Sequence, residues 1–214
     1  MQLKDGLVVI EMYPEIAPAH VSRIKTLTRE GFYNGLTFHR VIKGFMVQTG
    51  DPNGDGTGGS KYGPIYAEFS NKPHVKGTVS MARASSPDSA NSQFFIVTSD
   101  HAKHLDGEYT VWGKVIKGME YVDKIKQGNS LNNGMVEDPD KIIKMVIAGD
   151  LGLVGETKKD FFEELKVIED TRNEFIKENK NKETMTLLDL MITMSAEQQG
   201  QNNSTQQPTV VQPQ

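Results

Sequence analysis

Several groupings in this sequence have residue types and spacings that could do chemistry. Gly54, Gly56 and Gly59 satisfy GxGxxG. A dinucleotide site needs that run to open a helix after a strand, and here Gly63-Pro64 follows at once, so no helix starts. Asp51, Asn53, Asp55 and Gly56 match the opening of a calcium loop, but Tyr62 stands where its bidentate Glu belongs. Small polar residues that let a long loop turn tightly are the simpler reading. Of the five histidines only His101 and His104 are close, and two without a third ligand nearby make a poor zinc site. No GxSxG elbow supports a serine hydrolase, and the absence of cysteine removes thiolate catalysis, disulfides and iron–sulfur ligation.

A denser pattern lies in three blocks. The first is Phe32-Tyr-Asn-Gly-Leu-Thr-Phe-His-Arg-Val-Ile-Lys-Gly-Phe-Met-Val-Gln-Thr-Gly-Asp51. The second is Gly77-Thr-Val-Ser-Met-Ala-Arg-Ala84 with Ser89-Ala-Asn-Ser-Gln-Phe-Phe-Ile96, and the third runs from His104 to Val115. In order and spacing they resemble the signature of the cyclophilin family of peptidyl-prolyl isomerases, over residues 5–150. The resemblance implies a mainly β fold: a closed eight-stranded antiparallel barrel capped by two helices, with the substrate groove on its outside. It places Arg40 and Gln48 as catalytic residues. Phe45, Met46, Ala82, Arg83, Ala84, Gln93, Phe95, His104, Leu105 and Tyr109 become the substrate-binding set.

The implied chemistry is rotation about an X-Pro amide, whose barrier is about 18–20 kcal/mol because the C–N bond is partly double. No bond is made or broken, so no cofactor or metal is expected. The site must favour the twisted amide over both planar forms. In that state the proline nitrogen regains its lone pair, and the guanidinium of Arg40 can donate to it; lysine lacks the planar fork. Phe45, Met46, Phe95 and Leu105 would seat the proline ring. Strand alternation puts adjacent Phe94 and Phe95 on opposite faces, one for the core and one for the groove. Phe45 and Met46 pose the same choice. Gln48 shares a face with Met46 and can bond the substrate backbone or hold Arg40. At Ala82–Ala84 the family pairs main-chain groups with the peptide, so Arg83, where many members have Asn, should be tolerated; its charge would favour acidic residues near the proline.

The chain departs from well-known eukaryotic members at His104 and Tyr109, where they have Trp and His. That pattern is bacterial, and weak cyclosporin binding is expected, because His104 lacks the indole's donor and apolar area. Thr49 replaces a usual glycine or alanine.

These residues need strands to carry them. Leu7–Tyr13 reads as a strand, and further strands are expected at 37–42, 45–49, 78–82, 93–98, 110–116 and 141–148. Pro18 fits a first helical turn, Val21, Ile24 and Leu27 mark its inner face, and Gly31 supplies the stop. Met119, Val122 and Ile125 mark a second short helix. Many short strands, glycine turns and two helices suggest a closed antiparallel barrel from the residues alone.

Of the 214 residues, the last third differs. Residues 151–214 hold 7 basic and 11 acidic residues, which accounts for the whole net charge of −4. We expect an isomerase domain at 1–150, a helical extension at 151–197 with an apolar stripe of Phe161, Leu165, Ile168 and Phe175, and a disordered Gln/Asn-rich tail at 198–214. The acidic balance argues against nucleic acid as a partner, and no stretch is apolar enough to suggest a membrane. Proline-containing polypeptides are the expected partners, with self-association through the C-terminal helices as a further option. A cytoplasmic location is the default, and a removed signal peptide would look the same. The activity expected is catalysed X-Pro isomerisation that assists folding. The alternative is a proline-peptide binding or chaperone module with little turnover, against which the presence of Arg40 argues.

Overall fold

Among the described residues, short apolar runs broken by glycine turns form the strands. They are β1 (Gln2–Leu3), β2 (Gly6–Leu7), β3 (Val9–Met12), β4 (Arg40–Ile42), β5 (Met46–Thr49), β6 (Thr78–Met81), β7 (Phe94–Val97) and β8 (Val111–Lys117). The structure, a computed structural model, describes residues 1–152 and, beyond them, positions 163, 165–167, 170, 189 and 191. The chain divides into two units, Met1–Val146 and Ile147–Gln214.

In the first unit, six strands form one antiparallel sheet in the order β3-β8-β6-β7-β5-β4, and β1 pairs with β2. Helix α1 (Pro18–Arg29) starts on the expected proline and turns Val21, Ile24 and Leu27 into the core. Ala17 offers α1 no side-chain cap. The Glu68 carboxylate instead accepts from the Ala19 and His20 amides at 3.1 Å each, satisfying orphan donors of the first turn. Helix α2 (Met119–Val122) is a single turn whose Val122 is buried. The core gathers alternate strand residues, Val41, Val47, Val79, Met81, Phe94, Ile96 and Trp112, with the inner face of α1.

The sheet differs from the expected ring. Among the described residues the main ladder joins six strands rather than a closed ring of eight, and β3 and β4 stand at its two ends. Beyond β4 the pairing goes on as single bridges, Arg40 to Met135, Thr37 to Lys141 and Gln2 to Lys144, and Val8 donates to the Met1 carbonyl. The strand expected at 141–148 is not a ladder strand. Its partners switch from the 35–38 segment to Gln2 within a few residues, so neither pairing can lengthen, and a 3-10 turn takes over at Ala148–Leu151.

In the second unit the described positions from 163 onward are helical, and Leu165 and Met191 are buried. The rest of the extension expected at 151–197 and all of the tail at 198–214 lie outside the described residues.

Candidate active site

Strand register lines up the site's polar edge. Arg40 pairs with Gln48, Gln48 with Phe95, and Phe95 with Ser80, so one row runs across β4, β5, β7 and β6. Directly opposed residues share a face. The next row pairs Ile42 with Met46 and Met46 with Val97. Alternation resolves the choice between Phe94 and Phe95. Phe94 goes to the core, and Phe95 joins a separate buried cluster with Met46, Val97, Ala102 and Leu105. Phe45 sits in the turn before β5, free of the strand's alternation, and packs on that same cluster with Tyr109 and Ala82.

Arg40 is held on two sides. Its Nε donates to the Asn133 carbonyl at 2.9 Å, Nη2 to Asn133 Oδ1 at 2.9 Å, and Nη1 to Gln48 Oε1 at 3.1 Å. Guanidinium carries five N–H donors, so one remains on each Nη. Burial lowers its pKa, and it stays charged at any physiological pH. Asn133 reaches it from a left-handed turn, φ +51°, and Gly134 follows at φ +78°, where a Cβ would press on Ile42 and the Val41 carbonyl. Gln48 Nε2 donates to Gln93 Oε1 at 2.9 Å, and Gln93 Nε2 donates to the Gly56 and Gly58 carbonyls at 3.0 and 2.8 Å. The guanidinium is thereby tied to the glycine loop.

Phe95 is fixed from behind and from the side. The buried His74 ring stacks on it at 6.1 Å and 19°, and Tyr109 meets it edge-on at 5.7 Å and 83°. His74 Nδ1 lies 3.0 Å from Asp106, and Nε2 lies 3.0 Å from the Ser80 hydroxyl, which donates to the Thr110 carbonyl. Burial lowers the His74 pKa, and Asp106 pulls the other way. His104 stacks on Phe45 at 5.4 Å and 28°.

All the site residues expected from sequence except Ala84 and Gln93 line one open cavity of about 700 Å³. Those two line an adjoining cavity of about 390 Å³, which shares Gln48, Gly56, Ala82 and Arg83 with the first. Sequence reading missed Asn133, His74 and Asp106. The run Asn132-Asn133-Gly134 signals a turn, but nothing local marks its contact with Arg40. Thr49 acquires a reason: it is buried, and its hydroxyl donates to the Thr37 carbonyl at 2.8 Å. In the calcium-like loop, the Asp51 carboxylate accepts the amides of Asn53, Asp55 and Gly56, and so acts as the loop's own internal brace.

The family model for "Cyclophilin type peptidyl-prolyl cis-trans isomerase/CLD" matches residues 1–147. The chain belongs to that family. Relatives carry the same activity in their names. The chain is 55% identical over 161 residues to a probable peptidyl-prolyl cis-trans isomerase of Brucella suis, covering 70% of this chain and 82% of that one. It is 46% identical over 138 residues to peptidyl-prolyl cis-trans isomerase B of Bacillus subtilis, covering 63% and 94%. Among solved structures it resembles a cyclophilin of Hirschia baltica, with TM-score 0.61, 28% identity, and 70% and 73% of the two chains covered. It also resembles a Cryptosporidium parvum cyclophilin solved in the presence of the dipeptide Ala-Pro, with TM-score 0.60, 30% identity and 67% and 94% covered. The protein is a cyclophilin-type peptidyl-prolyl cis-trans isomerase with a mainly β fold and relatives of bacterial type.

Proposed function

We propose that the groove beside β5 and β7 seats the proline of an X-Pro bond and that Arg40 drives its rotation. The observation that carries this reading is the state of Arg40. Three of its donors are spent on Asn133 and Gln48, and two remain beside the apolar cluster of Phe45, Met46, Phe95 and Leu105. A cation fixed in advance costs no reorganisation when the proline nitrogen pyramidalises. It favours the twisted amide over both planar forms, because only the twisted nitrogen has a lone pair free to accept. Gln48 and Gln93 hold the guanidinium and line the path of the peptide. The Ala82–Ala84 main chain offers the peptide an edge, since the family pairs backbone there. The Ala-Pro dipeptide used with the Cryptosporidium relative supports a proline-containing polypeptide as substrate.

The bridges beyond β4 also support a barrel closed by non-ladder contacts, from Arg40–Met135 through Gln2–Lys144 to the Met1–Val8 pair. Closure of that kind would stiffen β4 and so the base of Arg40.

The test is a proline-limited refolding assay with Arg40→Ala beside the unmodified protein. Loss of acceleration, with the fold unchanged by circular dichroism, is the expected result. Equal acceleration by both proteins would remove Arg40 from the reaction.

A further inference from the structure

Arg83 is charged and lies at the groove wall, yet its side chain is only 14% exposed. Its donors are turned back into the protein. Nε donates to the Glu108 carbonyl at 3.1 Å, Nη1 to the Ala84 and Ser85 carbonyls at 3.0 and 3.3 Å, and Nη2 reaches Glu108 Oε2 at 3.4 Å. Four of five N–H groups are thus engaged by this chain. The guanidinium also lies 4.5 Å from the centroid of the Tyr109 ring. That ring meets Phe95 edge-on, and Phe95 floors the cluster with Met46 and Leu105.

The Leu105–Tyr109 turn therefore has two anchors. At its start, Asp106 is held by the His74 amide at 2.7 Å and by the His74 ring. At its end, Glu108 and Tyr109 are held by Arg83. The Glu108 and Tyr109 amides both return to the Leu105 carbonyl, at 3.0 and 3.2 Å, so the turn moves as one piece. Leu105, Glu108 and Tyr109 are the residues it presents to the groove.

We propose that Arg83 is a positioning residue acting through Tyr109: it clamps the Leu105–Tyr109 turn to the Ala82–Ser85 wall and so fixes the side of the proline seat. This inference rests on the groove reading above and goes beyond it in assigning the side chain of Arg83 a task. It also replaces the expectation that Arg83 reads acidic residues of the substrate, because Glu108 and three carbonyls already take up its charge. A planar fork suits this position. One face stacks on the tyrosine while the edges reach carbonyls in several directions, which an ammonium group cannot do.

The experiment measures kcat and KM of the full chain on two proline peptides, one with neutral flanks and one with acidic flanks. The variants are Arg83→Ala, Arg83→Lys, Tyr109→Ala and the double Arg83→Ala/Tyr109→Ala. Arg83→Ala should raise KM about two- to thirtyfold on both peptides, as expected from loss of a cation–π contact and the bonds that frame it, with a smaller change in kcat. Arg83→Lys should recover little of this. In the Tyr109→Ala background, adding Arg83→Ala should change KM by less than about twofold, since the intermediary is gone. Multiplicative losses in the double variant would overturn the proposal, as would a KM rise confined to the acidic peptide. Should Arg83→Ala fail to fold, Glu108→Gln, which weakens only the Nη2 contact, must give a smaller KM rise on both peptides; an unchanged KM there overturns the proposal. Arg40→Ala in the same assay separates the two readings. If it is inactive while Arg83→Ala behaves as unmodified, the clamp fails and the groove stands. If it is fully active, the groove reading fails first.

Discussion

Replacing Arg40 by alanine removes a guanidinium that lines the same cavity as the apolar seat. Its two remaining N–H donors can serve the substrate: one for the pyramidal proline nitrogen, one for the neighbouring carbonyl. A hydrogen bond from a charged donor is worth about 1.5–3 kcal/mol. The carbonyl bond forms in planar and twisted states alike, so it bears on KM. The nitrogen bond exists only in the twisted state, so it bears on kcat. With about 1.4 kcal/mol per factor of ten, kcat should fall about 10- to 150-fold. The fold should survive. The Asn133 and Gln48 oxygens that Arg40 bonds lie at the groove surface, and water can donate to them in its place. Arg40→Lys keeps the charge but cannot span Asn133 and Gln48, so it should recover less than about a tenth of the lost rate. A proline peptide assay at saturating substrate measures kcat, and thermal unfolding guards against collapse. A kcat within about twofold of the unmodified protein, with a native unfolding midpoint, would refute the reasoning. So would a large KM effect without any kcat effect, since that makes Arg40 a ground-state contact.

Stability should fall as pH drops below about 6.5. Burial is the largest influence on His20, His39 and His74 and lowers all three pKa values, against the opposing pull of Glu68, Asp51 and Asp106. The unfolded chain therefore takes up protons that the folded chain refuses, at about 1.4 kcal/mol per pH unit for each histidine, from the ordinary value near 6.5 down through the lowered folded values. Urea midpoints that stay flat between pH 7 and 5 would contradict this. Calcium and chelators should leave the unfolding midpoint and the activity unchanged, because the Asp51 carboxylate already accepts three loop amides; a calcium-specific rise over sodium at equal ionic strength would show an open site. Cyclosporin should bind weakly, and His104→Trp should tighten it by roughly 1–3 kcal/mol through added apolar area on Phe45, read by calorimetry; no gain would mean position 104 does not meet the drug.

The sequence by itself determined which faces the strands would show. Period-2 alternation is local, so Phe94 against Phe95 and the shared face of Met46 and Gln48 follow from the residues alone. The same holds for α1, where Pro18 opens the helix and three apolar residues at helical spacing set its buried side. The three motif blocks, as a resemblance, also pointed to a groove whose members the structure brings together around two adjoining cavities. Only the tertiary structure decided who holds whom. Asn133 meets Arg40 across 93 positions of chain, and His74 meets Asp106 across 32. It turned Arg83 inward onto Glu108 and Tyr109, where its residue type suggested a substrate contact. It also broke the expected strand at 141–148 into single bridges. Local pattern encodes the direction of a side chain relative to its own strand or helix. Partners distant in sequence depend on register, on turns such as Asn132–Gly134, and on where the chain returns, and none of these is written in any short window of residues.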